Sequence, residues 1–113
     1  MNESLQQLKK GVTKLIFLSA LANAPQYGYG LRRELCERSN GTFRLSEGAL
    51  YPLLQSLERR RLVTVRRTKV AGRERRYYEL TPRGERELAA LRREWQSLVG
   101  AVAAIVRPAP KKR

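Results

Sequence analysis

Residues 45–58, LSEGALYPLLQSLE, predict an amphipathic helix with a polar outer face. The leucines at positions 50, 53, 54 and 57 recur at three- and four-residue steps, so they share one buried side. Ser46 is a typical N-cap residue, which places the helix at about residues 47–60. Pro52 should loosen the first turn, because proline donates no backbone hydrogen bond. The side opposite the leucines carries Glu47, Gly48, Tyr51, Gln55 and Arg59.

Two helices are predicted before this one. Apolar residues at positions 5, 8, 12, 15 and 16 follow a helical period over about residues 4–23, and Pro25 follows the end of that helix. A shorter helix begins in the segment 27–30, YGYG, and continues to about Arg38. Residues 39–42, SNGT, are typical of a turn. The second and third helices therefore form a helix-turn-helix.

A basic hairpin and a long helix are predicted after it. Residues 62–68 and 75–80 are rich in β-branched and aromatic residues and predict two strands, joined by a turn over residues 69–73 that is centred on Gly72. Thr81 and Pro82 are typical of a helix start, and the helix should run over residues 82–106. Its apolar positions have the spacing of a coiled-coil seam: Leu88, Leu91, Trp95, Leu98, Val102 and Ile105.

These elements predict a mainly α fold with a small β-hairpin, in the α+β class. Residues 1–81 would form a winged helix-turn-helix domain, residues 82–106 a dimerisation helix, and residues 107–113 a basic tail.

Charge and composition indicate a polyanionic partner and exclude much catalytic chemistry. The 113 residues include 24 Lys and Arg but only 10 Asp and Glu, for a net charge of +14. Residues 61–80 alone carry seven basic and two acidic residues. The chain has no histidine and one cysteine, so imidazole catalysis and His- or Cys-type metal sites are not expected. We predict no enzyme activity, no metal and no cofactor.

The chain resembles the PadR family of bacterial winged-helix transcriptional regulators, in its short subfamily with one C-terminal helix. Three stretches carry the resemblance: YGYGL at 27–31, LSEGALYPLLQSLE at 45–58 and RERRYYELTPRG at 73–84. One departure is Arg61, where the family usually has glycine after the recognition helix. The resemblance implies a homodimer that binds an operator in double-stranded DNA, most often as a repressor. The recognition helix would enter the major groove, and the wing would reach the backbone or minor groove. The resemblance also implies that the C-terminal helix carries the dimer contact, with the helix over residues 4–23 beside it.

Two sets of residues are the predicted DNA contacts. The helix set, expected to contact bases and phosphates, is Ser46, Glu47, Gly48, Tyr51 and Gln55. The wing set, expected to contact phosphates, is Lys69, Arg73 and Arg75. The alternatives are an ordinary solvated helix face and a hairpin edge that charge protects from aggregation.

Trp95 has two interpretations. It is either a large packing residue of the dimer interface or a ligand-stacking residue. The second follows from a resemblance to multidrug-binding repressors of the family, in which a tryptophan of the last helix stacks on small planar aromatic effectors at the dimer centre. Leu15 and Phe17 would line the same effector pocket.

The same features allow three functions other than operator binding, and either a secreted or a cytoplasmic protein. A non-specific, nucleoid-type DNA-binding protein would share the basic charge, and a basic membrane-surface protein is less consistent with the nearly neutral last helix. An enzyme lacks the necessary residues. Residues 9–24 imitate a signal peptide, but their apolar run is short. We therefore expect no membrane partner and a cytoplasmic protein that is associated with the bacterial nucleoid when bound to DNA.

Overall fold

The computed structural model describes Lys9 and residues 11–110, and its elements follow the predicted order. The helices are α1 (Thr13–Asn23), α2 (Gly28–Arg38), α3 (Glu47–Arg59) and α4 (Pro82–Val106). The strands are β1 (Gln26–Tyr27), β2 (Val63–Val70) and β3 (Arg73–Leu80). The predicted α+β class and winged helix-turn-helix are confirmed.

A turn interrupts the first predicted helix, because Lys9 is helical but residues 11–12 are not. Gly11 and Val12 form a turn, in which the amide of Val12 donates to the carbonyl of Lys9 over 3.1 Å, and α1 starts at Thr13. The prediction of one continuous helix over residues 4–23 is therefore wrong at this turn. Positions 4–8 and 10 lie outside the described residues. Apolar periodicity alone did not detect the turn, because both sides of it carry apolar residues at helical spacing.

The end of α3 is closed by a Schellman motif centred on Arg61. The amide of Arg61 donates to the carbonyl of Glu58 over 2.9 Å, and the amide of Leu62 donates to that of Leu57 over 3.0 Å. Arg61 has φ +62°, a left-handed conformation that favours glycine. The motif thus explains why glycine suits this position and shows that arginine occupies it with some backbone strain.

The sheet has the order β1-β3-β2, and both pairings are antiparallel. Strands β2 and β3 pair from Val63 opposite Leu80 to Val70 opposite Arg73. Only Ala71 and Gly72 remain as the turn, both at positive φ, so the hairpin has the primed type of turn that matches strand twist. The predicted five-residue turn is wrong: its outer residues belong to the strands. The two-residue strand β1 was not predicted at all.

The core lies where α1, α2, α3 and the sheet meet, with the first turns of α4 against it. Its largest fully buried side chains are Phe17, Leu18, Leu31, Leu50 and Leu54. Leu88 belongs to the same cluster, with an exposure of 3%. Within this chain, Leu88 is thus a core residue and does not form part of an exposed seam.

The start of α4 is fixed against the segment that follows α3. The hydroxyl of Thr81 accepts from the amide of Gly84 over 3.0 Å and donates to the carbonyl of Arg61 over 2.6 Å. The amide of Thr81 donates to the carbonyl of Leu62 over 3.1 Å. Gly84 lies so close to Leu62 that an added Cβ would overlap the Leu62 carbonyl oxygen. This junction sets the direction in which α4 leaves the body of the protein.

Candidate nucleic-acid interface

The outer face of α3 presents the predicted helix residues together. Glu47, Gly48, Tyr51 and Gln55 are all exposed, while Leu50 and Leu54 on the opposite side are fully buried. Leu53, predicted in the buried stripe, is only half-buried. Ser46 caps α3, because its hydroxyl accepts from the amide of Ala49 over 3.2 Å. The helix is unbroken at Pro52.

Arg32 of α2 supports the beginning of α3. Its Nε donates to the carbonyl of Leu45 over 2.8 Å, and its Nη1 lies 3.7 Å from Oε1 of Glu47. The carboxylate of Glu47 also lies in the first turn of α3, where the helix dipole favours negative charge. The segment before the exposed face is therefore held by hydrogen bonding as well as by the buried leucines.

The basic residues of the wing fall into two groups. Near the stem, Arg66 pairs with Glu79 at 3.4 Å and Arg67 with Glu74 at 3.8 Å. Near the tip, Lys69 and Arg73 are exposed, and no acidic side chain of the described residues lies within ion-pair distance of either. The tip therefore presents a cation on each strand beside the turn without an ion pair, although Glu74 lies opposite Lys69 in the strand register.

Arg75 differs from the cations at the tip, because it is half-buried against an aromatic ring. Its guanidinium carbon lies 4.6 Å from the ring centroid of Tyr27. Tyr27 also stacks on Tyr29, with centroids 6.3 Å apart, and meets Tyr77 edge-on at 5.7 Å. Strand β1 thus joins the stem of the wing to the start of α2 through a cluster of rings.

A cleft of about 360 Å³ separates the start of α2 from β3, and Tyr51 of α3 borders it. Tyr29, at 57% exposure, and Arg76 also line it. Sequence reasoning assigned no role to these two residues. The signal for Tyr29 was a large aromatic residue between two glycines, and the signal for Arg76 was its position on the strand that also carries Arg75.

Tyr78 lies at the inner wall of this cleft with its ring in the core. Its exposure is 3%. Burial raises the pKa of its phenol above the ordinary value, and the nearby guanidinium of Arg76 partly offsets this by lowering the pKa. The phenol therefore remains protonated at neutral pH and serves as a neutral polar group.

The second half of α4 exposes an unpartnered apolar face. We call Trp95, Leu98, Val102 and Ile105 the α4 face, and their exposures run from 43% to 83%. Val99 and Val106 widen it. Leu91, predicted in the same seam, is half-buried against the core. The part of the predicted seam that remains accessible therefore begins after Leu91.

Helix α1 packs beside the first half of α4. Nζ of Lys14 lies 2.7 Å from Oε2 of Glu87, and this hydrogen bond and charge lower the pKa of the Glu87 carboxyl. Leu15 is half-buried against the core. Phe17 is completely buried inside the chain, so its predicted place in an effector pocket is wrong. The apolar spacing of α1 could not distinguish these two positions, because the helix is apolar on several sides.

The described part of the chain contains neither a metal-binding cluster nor a membrane-spanning helix. Among these residues no cluster of acidic, cysteine or histidine side chains could hold a metal ion. No helix within the described ranges is long and apolar enough to cross a membrane.

Comparison with known proteins assigns the chain to a family. Residues 17–90 match the Transcriptional regulator PadR-like family. The chain belongs to this PadR family. This PadR protein is similar to Transcriptional regulator Rv3488 of Mycobacterium tuberculosis, with 33% identity over 98 residues that cover 87% of the chain and 89% of the relative. It is thus a transcriptional regulator by family, and such regulators are not enzymes.

Solved structures of PadR regulators have the same architecture. A PadR family transcriptional regulator from Eggerthella lenta superposes with a TM-score of 0.82 at 26% identity, covering 94% of this chain and 91% of the other. A PadR-like transcriptional regulator from Bacillus cereus gives 0.81 at 28% identity, covering 91% and 99%. The C-terminal helix is included in this similarity, because so much of each chain is covered.

Proposed function

We propose that this PadR protein is a cytoplasmic repressor that binds a pseudo-palindromic DNA operator as a homodimer. One observation carries the proposal: Tyr51 of α3 borders the same cleft as Arg75 and Arg76 of β3, so the exposed helix and the wing form one continuous surface. A duplex can engage such a surface with a groove and the adjacent backbone together. The net charge of +14 favours this polyanionic partner.

The two parts of the surface would have different tasks. Gln55 on α3 can pair with the edge of adenine in the major groove, and Tyr51 and Ser46 offer hydroxyls to bases or phosphates. Lys69 and Arg73 would neutralise phosphates, which contributes affinity with little sequence information.

The homodimer rests on the α4 face. Because it exposes large apolar side chains over the distal half of a helix about 37 Å long, water contact with this face is unfavourable. A second copy of α4 would cover it and place two α3 helices for two half-sites. Association would also compensate for the modest core of a small chain.

The decisive experiment compares affinities for two DNAs. An operator selected from a random duplex library and a random duplex of equal length would be titrated by fluorescence anisotropy. We expect Gln55→Ala to weaken operator binding more than random binding, and Lys69→Gln or Arg73→Gln, each alone, to weaken both similarly. Arg93→Gln on α4 is the control for loss of one positive charge. Equal affinity of the unsubstituted protein for both DNAs would refute sequence specificity and favour the nucleoid-type alternative.

We also propose an effector site at Trp95, which is 43% exposed on the α4 face. Two such rings across a dimer axis could hold a planar aromatic cation by stacking and cation–π contact. Leu15 remains a candidate for the wall of this site. Saturable quenching of Trp95 fluorescence, weaker with operator present, is expected for an inducer. If calorimetry finds the same dye affinity in Trp95→Ala, the effector site is refuted and Trp95 is only a packing residue of the interface.

A further inference from the structure

The cleft beside Tyr51 exists because β1 is only two residues long. The pairing of β1 with β3 ends at Tyr27 opposite Tyr77, and the chain then leaves the sheet to begin α2 at Gly28. From Arg76 toward the tip, β3 keeps only β2 as a neighbour. The space between the departing α2 and this edge of β3 is open to solvent and is closed at one side by α3.

The lining of the cleft is rich in hydrogen-bond donors of fixed position. The Tyr51 hydroxyl lies so close to Gly28 that a Cβ there would be 2.7 Å from its oxygen, so this tyrosine is seated over a glycine. The Arg75 guanidinium is held over the ring of Tyr27. Arg76 lies beside the hydroxyl of Tyr78, whose ring is buried in the core. The Arg76 guanidinium and the hydroxyls of Tyr51 and Tyr78 therefore border one space, and Arg75 lines its rim from the opposite face of β3.

The charge of the cleft is positive after its one carboxylate is counted. Glu74 lines the cleft as well, but its Oε1 lies 3.8 Å from Nε of Arg67, which compensates its charge. No carboxylate of the described residues forms an ion pair with Arg75 or Arg76. An anionic ligand with several acceptor oxygens matches this set, since guanidinium groups bind phosphate with paired donors.

We propose that this cleft binds a phosphate of the DNA backbone, as a third contact between the α3 face and the wing tip. The inference rests on the proposed function, because it needs DNA at α3. The cleft is open and shares Tyr51 with the exposed face of α3, which fits a continuous strand better than a free nucleotide. Arg76 and Tyr29 then join the interface, and Arg75 binds the backbone at the stem of the wing, apart from the tip.

The first test measures how binding of the selected operator depends on salt. Each phosphate contact contributes about 0.9 to the slope of log affinity against log salt. Arg76→Gln should reduce this slope by about 1.8 for a dimer with two clefts and weaken binding at least tenfold at low salt. Arg92→Gln, on α4 beside the end of α1, removes the same charge from another cleft and should leave the slope unchanged.

The second test identifies the phosphate. Single phosphates of the operator would be replaced by neutral methylphosphonates, and one replacement should weaken the unsubstituted protein but have no further effect on Arg76→Gln. If Arg76→Gln has a clearly lower melting temperature than the unsubstituted protein, Arg75→Gln replaces it in this comparison at the same phosphate. Free phosphate or a nucleotide that competes with operator at millimolar concentration, without any methylphosphonate effect, would overturn the backbone assignment.

Failure of this inference is distinguishable from failure of the proposed function. An unsubstituted protein that binds no duplex would refute the proposed function. An unsubstituted protein that binds operator, with both arginine variants retaining affinity and salt slope, would refute the cleft alone.

Discussion

The same substitution, glycine to alanine, should have opposite effects at two positions of α4. At Gly84 the new Cβ would overlap the carbonyl oxygen of Leu62 and lie 3.0 Å from its carbonyl carbon. At Gly100 nothing lies within 4 Å of the added Cβ. Both positions are helical, so the helix propensity gained is about 1 kcal/mol in each case.

The cost at Gly84 follows from the contacts that hold the junction. Carbon atoms prefer separations of about 3.5–4.0 Å, so α4 must move from Leu62 by roughly 0.5–1 Å. The Leu62 carbonyl also accepts from the amide of Thr81 over 3.1 Å, and that bond would be stretched. Overpacking costs about 1–3 kcal/mol and a weakened hydrogen bond about 0.5–1.5 kcal/mol. After the helix gain, Gly84→Ala should lower the free energy of unfolding by about 2 kcal/mol.

Urea unfolding followed by circular dichroism measures both variants at one protein concentration. Gly100→Ala should raise the free energy of unfolding by about 0.5–1 kcal/mol, since it removes the entropic cost of glycine. In thermal unfolding of the same samples, Gly84→Ala should have a melting temperature roughly 8 °C below that of the unsubstituted protein. If Gly84→Ala is as stable as the unsubstituted protein, the close approach of α4 to Leu62 is not a constraint and the reasoning fails.

Three further outcomes are expected. Leu98→Glu should convert the dimer to a monomer in sedimentation and weaken operator binding, while Gln96→Glu, with its charge off the α4 face, should leave the dimer intact; a dimeric Leu98→Glu would contradict the interface. Arg61→Gly should raise the free energy of unfolding in urea by about 0.5–1 kcal/mol, because glycine adopts the positive φ without strain; no gain would argue against strain there. The lowered pKa of Glu87 contributes stability that is present above the ordinary carboxyl pKa and is lost as pH falls through the lowered pKa. Lys14→Gln should therefore make the melting temperature depend less on pH between pH 5 and pH 2. An unchanged dependence in this variant would contradict the pairing of Lys14 with Glu87.

The fold was predictable where local chemistry and long-range packing agree. The leucine spacing of α3 and its cap at Ser46 predicted the first residue of this helix correctly. Thr81 and Pro82 likewise predicted the first residue of α4. Strand β1 was not predictable, because two residues carry no period and their partners Tyr77 and Tyr78 are 50 and 52 residues away in sequence.

The predicted interface residues show the same limit. Spacing put Leu88 and Trp95 in one seam, but only the packing of α1 and the sheet against the start of α4 decides that Leu88 is buried and Trp95 exposed. Phe17 was misassigned for the same reason. The basic composition of the wing was evident from the sequence, whereas the pairing of Arg66 and the stacking of Arg75 depend on neighbours from other strands.

The position in the chain at which the core ends has a consequence for how operator occupancy depends on protein concentration. Every fully buried hydrophobic residue of the described chain precedes Ala89, so the body completes its packing before the distal half of α4 begins. Separation of two copies along that distal half would therefore leave each body folded. If only the dimer binds both half-sites, operator occupancy at low protein concentration would rise with the square of the protein concentration. Repression would then respond steeply to small changes in synthesis, without any ligand.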